Sequence, residues 1–184
     1  MTLDRRPAAA RTLLSALLVV AVAAAAAGQA PPPRGACDSL PEAHQLDFWI
    51  GTWRVFLPDG TKAGENRIEP ILAHCALLEN WTSERGVQGK SLNFFDPSSR
   101  RWRQLWIDET GTVIDFGRGG LVGNAMRFHG STTGKDGAVV QQRLTFHPVA
   151  VDTVRQVWEQ SDDGNTWRVV FDGRYVRHGS DLPP

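Results

Sequence analysis

Along most of the chain, apolar and polar residues alternate with a period of two, and the alternating runs are short. In Trp102-Arg103-Gln104-Leu105-Trp106-Ile107-Asp108 one face carries Trp102, Gln104, Trp106 and Asp108, and the other carries Arg103, Leu105 and Ile107. Residues 154–160 repeat the pattern, with Gln156 and Trp158 on one face and Arg155, Val157 and Glu159 on the other. Such alternation marks half-buried strands rather than helices. The runs are separated by Pro58-Asp59-Gly60, Asp96-Pro97-Ser98-Ser99, Glu109-Thr110-Gly111, Gly134-Lys135-Asp136-Gly137 and Asp162-Asp163-Gly164-Asn165. All of these are turn-forming clusters. Strands are predicted over 49–57, 62–70, 91–95, 102–108, 112–116, 139–146, 154–161 and 166–171, within a total of about nine or ten. One short helix is predicted over 40–48, where Pro41 suits a first turn and Glu42 suits the positive helix start. No long helices alternate with the strands, which argues against a parallel α/β sheet. A sandwich or an up-and-down barrel remains, and only closure removes the edge strands.

The first thirty residues break this pattern. Arg5, Arg6 and Arg11 precede an uncharged run over 12–27 that is mostly Ala, Leu and Val, and small residues follow at Gly28 and Ala30. This is the layout of a secretory signal peptide. The run is shorter than the roughly 20 apolar residues a spanning helix needs, and it ends at Gln29 and Pro31-Pro32-Pro33. The expected organisation is a signal peptide over 1–30, an extended arm over 31–40, a barrel domain over 41–178 and a flexible tail over 179–184. The product is expected to be periplasmic or secreted, with no stable membrane span once the signal is removed.

Composition narrows the function. The chain has 184 residues, with 20 basic and 20 acidic side chains. A dedicated nucleic-acid binder carries a basic excess, so none is expected as a partner. Without residues 1–30 the balance is 17 basic against 19 acidic. The 41% hydrophobic and 22% charged fractions are those of a globular chain, not a disordered one. The two cysteines, Cys37 and Cys75, allow one pairing, and export makes a disulfide chemically permissible. It would tie the arm to the body; the alternative is two unrelated thiols.

Phe48-Trp49-Ile50-Gly51-Thr52-Trp53 places Gly-x-Trp on the first strand just after a short helix, which resembles the signature of the lipocalin and fatty-acid-binding-protein superfamily. More closely, the chain resembles a bacterial family of exported proteins of unknown function with a lipocalin-like domain. The likeness lies in residues 46–53, in Cys75-Ala76-Leu77-Leu78-Glu79-Asn80-Trp81, in Gly89-Lys90-Ser91-Leu92-Asn93-Phe94-Phe95-Asp96, in residues 102–108 and in Asp172-Gly173-Arg174-Tyr175. The resemblance implies an all-β, antiparallel up-and-down lipocalin-like barrel with one short N-terminal helix. It implies a structural role for Gly51 and Trp53 at the closed end, and no established activity.

No motif specifies a reaction. There is no Gly-x-Ser-x-Gly, and Gly117-Arg118-Gly119-Gly120 lacks a Walker-type lysine and is predicted to be a loop or bend. His44, His74, His129, His147 and His178 show no zinc-type spacing, and no metal site is assigned. Haem held by a late histidine such as His178 is a minor alternative to no cofactor. Arg103-Gln104-Leu105-Trp106 and Arg155-Gln156-Val157-Trp158 share one pattern. It reflects either chance in a Trp-rich β protein or matched Gln and Trp side chains facing one cavity. Glu79 sits among large apolar residues, where a charge is costly unless paired. Either it faces inward and pairs with Arg143, or it lies on the outer surface. The leading expectation is an exported protein that binds a small, partly apolar or amphipathic molecule through Glu79, Trp81, Asn93, Gln104, Trp106, Arg143, Gln156 and Trp158. The alternatives are a hydrolase or isomerase using Glu79 as general base, and a filled, non-binding barrel serving as an envelope interaction module.

Overall fold

The computed structural model of the protein describes Gly35, residues 37–134 and residues 136–179. The predicted signal peptide, the start of the predicted arm and most of the predicted tail lie outside these residues. Ten strands form one closed antiparallel barrel, each paired with the next in sequence and the last with the first. They are β1 (Gly51–Phe56), β2 (Lys62–Ile71), β3 (Ala76–Ser83), β4 (Gln88–Asp96), β5 (Arg101–Asp108), β6 (Val113–Val122), β7 (Ala125–Thr133), β8 (Val139–Ala150), β9 (Thr153–Ser161) and β10 (Arg168–Arg177). The architecture is all-β and fits a lipocalin-like barrel. Closure rests on β1 and β10, where Trp53 stands opposite Arg177 and Val55 opposite Tyr175.

The expected helix is two 3-10 turns, Pro41–His44 and Asp47–Trp49, which cap one end of the barrel. Leu46 and Trp49 of this cap are buried in one cluster with Trp53, Leu77, Trp102, Met126, Phe146 and Val154 of the barrel. Trp49 lies against Phe146 with ring centroids 4.4 Å apart. Several polar contacts hold the cap to the barrel. The Trp53 indole N–H donates to the Trp49 carbonyl at 2.9 Å. The Trp102 indole N–H reaches the Glu42 carbonyl and Gln45 Oε1, both at 3.1 Å.

Arg177 completes the lock. Its guanidinium lies 4.2 Å above the Trp53 ring, donates to the Ile50 carbonyl at 2.9 Å and pairs with Asp152 at 3.0 Å. A stacked cation over an indole adds about 0.5–2 kcal/mol. The guanidinium passes so close to Gly51 that a Cβ there would lie 2.2 Å from Nη1, and Gly51 has φ +138°. Glycine alone permits this approach.

Two segments differ from expectation. The described part of the arm is not extended: Asp38 N–H donates to the Gly35 carbonyl and Leu40 N–H to the Cys37 carbonyl, each at 3.0 Å. Residues 117–120 are not a loop but lie within β6. Gly119 faces Phe128 at a distance no side chain would tolerate, 2.4 Å from a notional Cβ. The ladder shifts register nearby, between Asp115 and Arg118. The glycines therefore admit a neighbouring ring and a bulge rather than ending the strand.

Cys37 and Cys75 form a disulfide across 38 residues of sequence. A cross-link of that span removes unfolded-state entropy worth about 3–4 kcal/mol. Replacing both cysteines by serine is expected to lower unfolding stability by about that amount, read as a lower urea midpoint with a steeper slope, because the unfolded chain without the cross-link exposes more surface.

Candidate functional site

Because side chains alternate across each strand, inward positions stack in layers along the barrel. The layer nearest the cap is filled by Leu77 on β3, Trp102 on β5 and Val154 on β9, all buried. One step further from the cap, the same strands present Glu79, Gln104 and Gln156. The next step presents Trp81, Trp106 and Trp158. These last two layers surround a cavity of about 160 Å³, completed by Ile114, Phe116, Leu144, Phe171 and Tyr175. The matched Gln and Trp residues of the two Arg-Gln-aliphatic-Trp stretches thus face the same space.

Glycines make room for the rim aromatics. A Cβ on Gly89 would lie 2.4 Å from the Trp106 ring, one on Gly64 would lie 2.8 Å from Trp81, and one on Gly173 would lie 2.5 Å from Phe171. Each ring therefore approaches bare backbone where any side chain would collide with it. Trp81 and Phe171 meet edge to face, 6.2 Å apart, an arrangement aromatic pairs favour. The Trp158 indole N–H is held by Gln142 Oε1 at 2.7 Å, and Gln142 in turn donates to Thr132 Oγ1 at 2.9 Å.

Beneath the rings runs a chain of polar side chains. Gln104 Nε2 donates to Asn93 Oδ1 at 2.7 Å, and Asn93 Nδ2 donates to Ser91 Oγ at 2.8 Å. Ser91 Oγ donates to Glu79 Oε2 at 2.5 Å, and Asn66 Nδ2 donates to Glu79 Oε1 at 2.7 Å. Asn66 Nδ2 also reaches Tyr175 Oη at 3.3 Å, and the Tyr175 hydroxyl donates to Gln156 Oε1. The chain leaves one end free at each glutamine. Among the described residues, Gln104 Oε1 and Gln156 Nε2 have no hydrogen-bond partner. The cavity wall therefore offers one free acceptor and one free donor.

Glu79 is 4% exposed. Desolvation raises its pKa above the ordinary value of 4.5, against the opposing hydrogen bonds of Ser91 and Asn66. Both of those donors are uncharged. Tyr175 is raised as well, first by burial and then by the nearby Glu79 charge. The Asn66 Oδ1 atom is buried without a partner. Turning that amide by half a rotation would aim Oδ1 at the Glu79 carboxyl, where a protonated Glu79 has a hydrogen to donate.

Glu79, Trp81, Gln104, Trp106, Gln156 and Trp158 line the cavity. Asn93 does not touch it; it is fully buried and braces Gln104. Arg143 is a correction. It does not pair with Glu79 but stands on the outer face, bonded twice to Glu159 at 2.7 Å and stacked 4.0 Å over Trp167. Leu144 and Phe146 are buried inside, so period two turns Arg143 outward. Tyr175, Phe171, Phe116, Leu144 and Ile114 were not expected at the site. Phe171, Gly173 and Tyr175 alternate on β10, the pattern that would have exposed them. No histidine lines the cavity. His178 follows β10 at the capped end; its backbone N–H bonds to the Thr52 carbonyl, and its half-exposed imidazole lies 3.9 Å from Glu65 on the barrel's outside.

The fold and site define a closed ten-stranded barrel with an aromatic-walled cavity at the end away from its cap. No protein-family model matches the chain, and no curated protein sequence matches it.

The raised pKa of Glu79 has a definite sign. The folded state holds the proton more tightly than the unfolded state does. The resulting stability is therefore full below the ordinary value of 4.5 and is lost as pH rises through the folded pKa. Glu79→Gln keeps the shape and removes the titration. Its stability relative to wild type is expected to increase as pH rises from 4 to 8, measured by urea unfolding at each pH. A difference that stays constant with pH would mean that Glu79 titrates normally.

Proposed function

We propose that the protein binds a small amphipathic molecule of about one aromatic ring in the barrel cavity, between the indoles of Trp81, Trp106 and Trp158. The observation that supports this reading is the combination of size and lining. An apolar cavity of about 150 Å³ accepts a benzene-sized guest, and this one measures about 160 Å³. Its wall is mostly aromatic, with Gln104 Oε1 and Gln156 Nε2 unpaired. Mostly apolar walls with a few placed polar groups are the usual make-up of small-molecule sites. The two free carboxamide ends favour a ring carrying both a donor and an acceptor, such as an amide or a lactam. A porphyrin or a long acyl chain exceeds this volume.

The disulfide and the absence, among the described residues, of a helix able to cross a membrane are consistent with an exported protein. We infer a periplasmic or secreted location, the 1–30 segment acting as its signal. A non-binding, filled barrel fits less well, since the cavity leaves the interior incompletely packed. Acid–base catalysis is the second reading, favoured by one observation: Glu79 is a buried carboxyl that lines the cavity.

Benzamide serves as a probe, with binding followed by quenching of tryptophan fluorescence. Saturable binding is expected, and Trp106→Ala or Trp158→Ala should each weaken it about fivefold or more, the equivalent of ~1 kcal/mol of lost ring contact. Gln104→Leu should weaken benzamide more than toluene. Native mass spectrometry of the exported chain is expected to retain a small adduct that both tryptophan variants lose. Binding that ignores all three substitutions, with no adduct, would remove the proposal.

A further inference from the structure

At the capped end, away from the aromatic cavity, the fold brings together His44, Asp47 and His74. His44 ends the first cap turn, Asp47 begins the second, and His74 lies between β2 and β3. Asp47 bridges the two imidazoles. Its Oδ2 lies 2.8 Å from His44 Nδ1 and its Oδ1 lies 2.8 Å from His74 Nε2. The rings themselves are 4.3 Å apart.

Two features go beyond chance proximity. Leu72, Ala73 and His74 have φ of +55°, +50° and +64°. Three successive non-glycine residues in the left-handed region carry a steric cost, and such strain persists only where the surroundings impose it. Here the turn runs directly into Cys75 and its disulfide, and it aims His74 at Asp47. The second feature is the other nitrogen of His44, which lies 3.0 Å from the Asp38 carbonyl. A carbonyl only accepts, so Nε2 carries a hydrogen, and the proton that Nδ1 shares with Asp47 is the one an incoming ion displaces to take the Nδ1 lone pair. Metal-bound imidazoles are oriented in this way, with the second N–H anchored on a carbonyl.

We propose that His44 Nδ1, His74 Nε2 and the Asp47 carboxylate form a binding site for one divalent transition-metal ion of the zinc type. Two imidazoles and a carboxylate suit zinc, nickel or copper better than calcium or magnesium. The donor atoms lie within 4.8 Å of one another, so small side-chain rotations bring them to bonds of about 2.0–2.2 Å. His44 and Asp47 are 35% and 36% exposed, which lets an ion enter and leaves room for water to complete its shell. The ion ties the cap to the β2–β3 turn beside the disulfide and reinforces the closed end of the barrel. The histidines are thirty positions apart in sequence, which hides the site from any spacing rule.

The test uses Zn²⁺ alone, titrated calorimetrically into the full, disulfide-intact chain. One ion per chain is expected. His44→Gln and His74→Gln should each weaken binding by at least about tenfold, whereas His147→Gln should leave it unchanged. Asp47→Asn gives a third, independent reading should either histidine variant fail to fold, as checked by circular dichroism. Proton NMR of the unmodified chain needs no variant: zinc should shift the ring signals of His44 and His74. No zinc uptake at about 100 µM, undiminished affinity in the folded variants, or shifts confined to His129, His147 or His178 would each overturn the proposal.

Discussion

The pairing of β1 with β10 is the constraint on which the rest of the structure depends. An open meander could turn its inner face toward solvent or another chain; a closed one cannot. Once Trp53 stands opposite Arg177 and Val55 opposite Tyr175, every inward side chain on ten strands is committed to one shared volume. Gly51, Trp53 and Arg177 secure that seam together. The indole fills the end of the barrel, the guanidinium covers it and reaches the Ile50 carbonyl, and the missing Cβ of Gly51 leaves the path open.

The enclosed volume is filled unevenly, and this unevenness makes a site. Near the cap, Trp49, Trp102, Met126 and Phe146 interdigitate and are almost completely buried. Toward the other end, glycines stand beside Trp81, Trp106 and Phe171 and give those rings room that a side chain would take. Large residues meeting glycines line the space without filling it. Between the two regions lies the polar layer running from Gln104 through Glu79 to Gln156. A buried carboxyl with uncharged partners is an expensive component. Ser91 and Asn66 support it with one donated bond each, which leaves Asn66 Oδ1 buried beside it and the glutamine ends open to the cavity.

The outer face follows different rules. Arg103 with Asp115, Arg143 with Glu159, and Arg155 with Asp172 pair across neighbouring strands, each partly exposed. Such pairs contribute little individually, but they allow a neutral chain to carry many charges without placing them inside. The same sorting explains Arg143. Its position on β8 was decided by Leu144 and Phe146, which needed the interior, and Glu159 lay opposite to receive it.

Much of the fold was legible in the chain, because strand alternation and turn chemistry are local. Asp163 shows how local: it accepts from the backbone of Asn165 and Thr166, and those bonds lower its pKa to about 2. The Gln and Trp residues of β5 and β9 were readable for the same reason, since period two puts each pair on one face. Local pattern does not report what a neighbouring strand brings close. Residues 117–120 read as a bend because the ring of Phe128 that needs Gly119 lies on another strand. Asn93 read as a ligand contact, yet register set it behind Gln104. The roles of Tyr175, Asn66 and Ser91 are not legible locally, because they depend on Glu79, which the register of other strands brings to them. The sequence by itself determined where strands begin, where they turn and which residues share a face. The tertiary structure alone decided which face is inside, which residues meet across the barrel and where space is left, because those depend on closure and register between strands far apart in the chain.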